Sequence, residues 1–277
     1  MSVVRIEREG SVAVVVIDNP PVNASSQAVR EGLLRAVREI DGDSSVTAAV
    51  LVGVGRAFMG GADIREFDKP PADPQLPEVI EAIMDSPKPW AAAIHGAALG
   101  GGLELAFACD VRVAQEGSQL GLPEVTLGMM PGAGGTQHLP RIVGIVRAIE
   151  IICSGRRMDA EEACALGIVD AVVAGDVRAA AVGAMPRGKN PVRDRPVPAS
   201  DEESVAQAGR AAVAANPGRQ ITAAIDSIKR SGTTLYGEAM ARERAAFLAL
   251  RASPEAVELR RKFFAARAAA KNASDKA

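Results

Sequence analysis

Two glutamates and two glycine clusters carry the chemistry that this chain offers. Glu104 lies in "HGAALGGGLELAFACD" (His95–Asp110), a run apolar on nearly every side, and Glu124 lies in "QLGLPEVTLG", directly after a proline. A helix that is apolar all round belongs in a core, and a carboxylate there is costly unless something pairs with it or uses it. Two buried carboxylates suit general acid–base work, in which one group takes a proton while the other supplies one. Each taken singly reads as readily as a structural glutamate held by backbone N–H groups or an arginine. The glycines of "GGAD" (Gly60–Asp63) and "LGGGLE" (Leu99–Glu104) each open a predicted helix, where unobstructed backbone N–H groups face outward. Two such donors converging on one oxygen make an oxyanion hole, which stabilises charge developing on a carbonyl oxygen. Taken alone, either loop reads as a glycine turn at a tight helix–strand contact; the carboxylates tip the balance towards catalysis.

Other readings of these residues fail. Gly53 and Gly55 begin a G-x-G-x-x-G pattern, but Phe58 stands at its third glycine, and after Gly132 and Gly134 that position is Gln137. No G-x-x-x-x-G-K-[ST] phosphate loop occurs. Asp63 reads as a structural carboxylate at a helix start. His95 ends an apolar strand, and His138 has no serine or cysteine arrangement to serve, so neither is assigned a catalytic role.

The elements that must position these groups follow from the pattern of apolar residues. "VAVVVID" and "TAAVLVG" are continuous β-branched runs typical of strands buried on both faces. Between them Ser25 or Ser26 caps a helix in which Val29, Leu33, Val37 and Ile40 keep a helical period. A short helix at "ADIREF", a proline-rich stretch "DKPPADPQLP" that forms a lid or pocket wall, and a helix near Glu78–Met84 come next. The strand "WAAAIHG", the glycine-led helix and the strand "VRVAQ" continue the pattern. A second glycine loop, "LGMMPGAGGTQHL", precedes helix from about Arg141 to Ile152. Recurring strand, strand, helix units make an α/β fold. We divide the chain into a core at 1–187, a proline-rich linker at 188–200 and a helical region at 201–277.

The whole composition agrees with a globular protein. The 277 residues are 48% hydrophobic and 24% charged, with a net charge of −2, so an ordinary packed core is expected and nucleic acid is a poor partner. Cys109, Cys153 and Cys164 lie in apolar contexts without metal-ligand spacing and read as core thiols of a reducing compartment. The N-terminus lacks a signal-peptide core, and no run is long and apolar enough to span a bilayer. A cytoplasmic protein without metal or membrane partner is expected.

Three segments, "FMGGADIREF" (Phe58–Phe67), "AAIHGAALGGGLELAFACD" (Ala92–Asp110) and "LGLPEVTLGMMPGAGGTQHLPRIVG" (Leu120–Gly144), resemble in order and spacing the signatures of the crotonase, or enoyl-CoA hydratase/isomerase, superfamily. The linker and "SPEAVELRRKFFAARAAAK" further resemble the hydratase/isomerase half of multifunctional β-oxidation proteins, here without a dinucleotide fingerprint for a dehydrogenase half. The resemblance implies a spiral of repeated ββα units with an α-helical C-terminal region. It implies that the N–H groups of Ala62 and Gly101 bind the thioester oxygen of an acyl-CoA and that Glu104 and Glu124 are the acid–base pair. It also implies that Asn23, Ala24, Gly60, Gly61, Ala62, Asp63 and Ile64 hold the substrate's coenzyme A, with Gly100, Gly101 and Pro123. Arg65 stands where relatives carry a basic residue near the CoA phosphates, or is simply a solvated helix charge. Hydration of a 2-enoyl-CoA is the expected reaction, with 3-enoyl-CoA isomerisation, a dual hydratase/isomerase, and a non-catalytic acyl-CoA binder as alternatives. Coenzyme A enters as part of the substrate, with no tightly bound cofactor. Homotrimers or dimers of trimers are common in the superfamily, and fused relatives hold the domain as a monomer. His138 replaces the arginine usual after "GGTQ".

Overall fold

The structure is a computed structural model that describes residues 2–67 and 69–274; Asp68 of the proline-rich stretch and the side chains of Ile64 and residues 267–274 lie outside the description. Its centre is a six-stranded sheet in the order β1-β2-β3-β4-β6-β9. Here β1 is Val4–Glu9, β2 Val12–Ile17, β3 Ala48–Gly53, β4 Trp90–Ile94, β6 Val111–Gln115 and β9 Ala171–Val173. Only the hairpin β1–β2 is antiparallel; every later pairing in this sheet is parallel. The continuous apolar runs of β2, β3 and β4 are explained by cover on both faces. Val14, Val16, Val50, Val52, Ala91 and Ala93 pack under Val177 and Ala181 of α6 (Val177–Gly183). Val15, Ile17, Ala49, Leu51, Ala92 and Ile94 point to the larger core on the other side.

That larger core receives α1 (Gln27–Gly42), which buries Val29, Leu33, Val37 and Ile40 at helical spacing. Of the two candidate caps it is Ser26 whose side chain accepts from the Val29 N–H. The helix α2 (Leu76–Asp85) follows, and α3 (Gly101–Phe107) is buried along its whole length. The segment "ADIREF" forms only a 3-10 turn, Ile64–Glu66. The helix α4 (Gly135–Ser154) starts six residues before the expected Arg141, so "GTQHL" belongs to it rather than to the glycine loop.

A second, three-stranded sheet was not legible in the sequence. It joins β5 (Ala97–Leu99), β7 (Gln119–Gly121) and β8 (Arg157–Asp159), each three residues long. Runs this short leave no period to count. After it come α5 (Ala160–Ala165) and, beyond residue 200, α7 (Glu202–Ala215), α8 (Arg219–Arg230), α9 (Tyr236–Arg251) and α10 (Pro254–Ser274).

The proline-rich stretch between the two regions is packed. Asp110 accepts from Lys189 Nζ at 3.0 Å and from the Asn190 N–H at 2.7 Å, while Arg193 pairs with Glu81 and Asp85. The tail folds back over its own core: Phe247 of α9 lies against Gly132, and Ala256 of α10 against Gly128. No helix among the described residues is long and apolar enough to cross a membrane.

Candidate active site

Parallel neighbours in a sheet point the same way, so the connections leaving their C-terminal ends gather along one edge, where ligands of open α/β sheets bind. Here β3, β4 and β6 are consecutive in the sheet. The connection after β3 carries Gly60–Asp63, that after β4 carries Gly100 to Glu104, and that after β6 carries Pro123 and Glu124. The small sheet ties the three together. Met59 bridges Ala98, Ala97–Leu99 pair with Gln119–Gly121, and the Gly100 N–H donates to Gly121 O at 2.8 Å. Gly102 makes the approach possible, since a Cβ there would stand 2.2 Å from Met59 O.

The result is a cleft of about 770 Å³ whose walls include Ala62, Gly101, Glu104 and Glu124. Neither the Ala62 nor the Gly101 N–H donates to an acceptor among the described residues. They are close neighbours: a Cβ built on Gly101 would lie 4.0 Å from the Ala62 nitrogen and 3.9 Å from Glu104 Oε2. Two peptide donors without an acceptor among the described residues thus lie near one another, with Glu104 close by, at the cleft wall.

The two carboxylates have unequal surroundings. Glu104, in the first turn of α3, is 3% exposed, and its Oε1 accepts from the N–H groups of Ala133 (2.8 Å) and Gly135 (2.9 Å). Burial raises its pKa, while those amides and the Arg244 charge pull it back. Glu124 sits in a 3-10 turn begun by Pro123, with Oε2 buried and without a hydrogen-bond partner among the described residues. Its pKa stands well above the ordinary carboxylate range, through burial first and the charge of Glu104 second.

Gly60, Gly61, Asp63, Gly100 and Pro123 also line the cleft. Asn23, Ala24 and Arg65 are not brought to its wall. The Asn23 side chain donates to Val54 O and Ala57 O and accepts from the Asn19 N–H, which leaves it bracing the loop beneath. Ala24 O accepts from the Asn19 side chain. Arg65 is 74% exposed and turns back onto buried Asp63, a charge with a local partner. Ile64 opens its 3-10 turn, and its side chain lies outside the described residues. Exposed cations that do line the cleft are Arg56, Lys69 and Arg157.

Sequence reasoning missed the share of the tail. Arg244, Phe247 and Arg251 of α9 reach the cleft, and Glu243 is fully buried behind it. The available signal was a stripe in α9, Ala239, Glu243 and Leu250, in which a carboxylate occupies a position that helical spacing turns inward. His138 has a structural task. Its Nε2 meets the Tyr236 hydroxyl at 2.8 Å, and that hydroxyl donates to Glu81, joining α4, α9 and α2. Burial first, and then nearby arginines, hold His138 near a pKa of about 3, so it is neutral. Among the described residues, no group of three or more His, Cys, Asp or Glu gathers as metal ligands.

Comparison with known proteins gives the family of the chain. The chain is 51% identical over 162 residues to the peroxisomal bifunctional enzyme of Danio rerio, an alignment covering 58% of this chain and 23% of that protein. It is 46% identical over 176 residues to a probable enoyl-CoA hydratase of Bacillus subtilis, covering 61% of this chain and 68% of the relative. The chain thus spans about a quarter of the bifunctional relative and about two thirds of the bacterial one. The crystal structure of an enoyl-CoA hydratase from Bacillus anthracis matches with a TM-score of 0.62 at 28% identity, over 91% of this chain and 92% of that one. The sequence profile described as enoyl-CoA hydratase/isomerase matches residues 7–186. With that match, and with the α/β core and helical tail described above, the chain belongs to the enoyl-CoA hydratase/isomerase, or crotonase, superfamily.

Proposed function

We infer that this chain hydrates trans-2-enoyl-CoA thioesters to 3-hydroxyacyl-CoA. The observation that carries the reading is the pairing of two unoccupied peptide donors with two carboxylates in unlike environments on one cleft wall. A thioester oxygen between the Ala62 and Gly101 N–H groups would have its enolate charge stabilised, a contribution of ~10²-fold or more per donor. In this reading Glu104, with two amides donating to one oxygen, is the ionised partner, and Glu124, whose Oε2 has no hydrogen-bond partner among the described residues, is the protonated one. Glu104 then accepts a proton from water as the hydroxide oxygen bonds to Cβ, and Glu124 gives its proton to Cα. The electron pair of the double bond passes through the enolate to form the Cα–H bond. A proton passing from Glu104 to Glu124 restores the starting state, so the sequence needs no resident cofactor.

The enoyl product of acyl-CoA dehydrogenation is the expected substrate, as in fatty-acid β-oxidation, and the exposed cations of the cleft suit the CoA phosphates. A second reading, isomerisation of 3-enoyl-CoA, is favoured by one observation. Glu124 Oε2, buried without a hydrogen-bond partner among the described residues, is free in the ionised form to take a proton from Cα and return it to Cγ, the 1,3 shift. The test is loss of enoyl-thioester absorbance on adding crotonyl-CoA, with a 3-enoyl-CoA as the parallel substrate. Steady turnover of crotonyl-CoA that falls in Glu124→Gln supports hydration. Binding of acyl-CoA without turnover at any chain length overturns it in favour of a binding protein.

A further inference from the structure

Behind the catalytic wall a third carboxylate shares a turn with Glu104. Glu243 comes from α9, is 0% exposed, and touches neither the cleft lining nor any Lys or Arg through a hydrogen bond among the described residues. Its partners belong to the start of α4. Oε1 accepts from the Gly134 N–H at 2.6 Å, and Oε2 accepts from the Thr136 N–H at 2.9 Å and from the Thr136 hydroxyl. That hydroxyl also meets Ser227 Oγ of α8 at 2.6 Å, and Gln137 Nε2 donates to both oxygens.

Set beside the bonds to Glu104, these contacts alternate residue by residue. Ala133 and Gly135 donate to Glu104; Gly134 and Thr136 donate to Glu243. Four consecutive amides thus serve two carboxylates on opposite sides of one turn. Gly134 allows it, with φ at +107°, a value that side-chain-bearing residues rarely adopt. We propose that Glu243 is a positioning residue for Glu104: by gripping the second and fourth amides of the turn from the tail side, it aims the first and third at the catalytic carboxylate. The proposal rests on Glu104 having the role given it above.

The groups that face Glu243 are Thr136 and Gln137 of α4, Ser227 of α8, Glu104 across the turn, Glu124 beyond it, and Arg244 and Tyr236 on its own helix. Burial and the charge of Glu104 push Glu243 up to about 8, against the pull of its three donors. Loss of a Glu243 charge would lower the Glu104 titration, so any rise of that titration in Glu243→Gln reports its amide donors. Slackened donors stabilise the anion less, so the movement is upward.

The experiment follows the Glu104 carboxyl by infrared titration in the full chain, with Glu104→Gln as the subtraction, and compares the parent with Glu243→Gln. A Glu104 titration raised by about one pH unit, with kcat for crotonyl-CoA down about 10–100-fold and KM within about threefold, supports the proposal. A Glu104 titration that does not move overturns it, whether or not kcat falls, because a purely structural role lowers activity without changing that titration. If Glu243→Gln does not fold, Thr136→Val removes one donor to Glu243 and leaves both amides; a smaller shift in the same direction supports, and none overturns. The titration needs no turnover, so a parent inactive on crotonyl-CoA counts against hydration and leaves the positioning role to be decided by the infrared shift.

Discussion

Glu104→Gln separates the chemistry of this site from its architecture. Both amides that hold Glu104 meet the same oxygen, Oε1, at 2.8 and 2.9 Å. A glutamine can set its carbonyl oxygen there and turn its NH2 group to the cleft, so neither amide is orphaned. Each bond then weakens from a charge-assisted to a neutral one, about 1 kcal/mol apiece. Against that, the variant no longer buries a charge, a cost of several kcal/mol per ion in real proteins. The expected Tm is therefore equal to the parent's or slightly higher. Loss of a general base costs about 10²–10⁴-fold, or about 3–5 kcal/mol of transition-state stabilisation. The assay pairs initial rates on crotonyl-CoA with thermal unfolding and acyl-CoA binding measured on the same preparation. Turnover within tenfold of the parent would refute the role of Glu104 as base. A Tm more than about 10 °C lower would refute the claim that one oxygen takes both amides.

Other expectations follow from the same geometry. Glu124 has its folded pKa raised by burial and by Glu104, so the unfolded chain releases this proton first and stability drains away as pH rises towards the folded value. Glu124→Gln should thus leave stability unchanged near pH 4, where both states are protonated, and increase it progressively towards neutrality; equal gain at both pH values in denaturant titrations would contradict this. His138 is depressed from 6.5 to about 3, so unfolding takes up a proton in that window and stability is lost as pH falls through it, by about 1.4 kcal/mol per pH unit. His138→Gln should flatten that acid decline, and an unaltered slope would count against a neutral buried ring. Gly102→Ala should cost about 3 kcal/mol or more, because its Cβ meets Met59 O at 2.2 Å; Gly175→Ala, with nothing within 4 Å, is the control that should unfold like the parent.

Long apolar patterns were the legible part of this fold. The runs of β2 and β3 and the Val29–Ile40 stripe of α1 each exceed a full period, and the structure has them as expected. The three-residue strands β5, β7 and β8 carry too little pattern to count, yet they draw the two peptide donors and Glu124 together. Glu104 and Glu124 were conspicuous because each is a lone charge among apolar neighbours. Glu243 was hidden in "ARERAAF", where arginines on either side make it look like one member of a solvated charge run. Its burial depends on which face of α9 meets α4, a tertiary fact. The start of α4 was misjudged for a related reason: two glycines and a proline argue against a helix locally, but its first amides are occupied by the two buried carboxylates.

Arg251 gives the tail a second hold, on the loop that leads away from Ala62. Its guanidinium donates to the carbonyls of Glu66, Phe67 and Lys69 at 2.8, 3.1 and 3.0 Å, across more than 180 residues of sequence. On the ribosome the chain therefore makes the Ala62 loop and the two cleft carboxylates early, and the residues that brace them late. A nascent chain that has emerged only as far as α7 lacks Glu243 and Arg251, the braces on either side of that cleft, so the braced cleft forms only once α9 has joined the core.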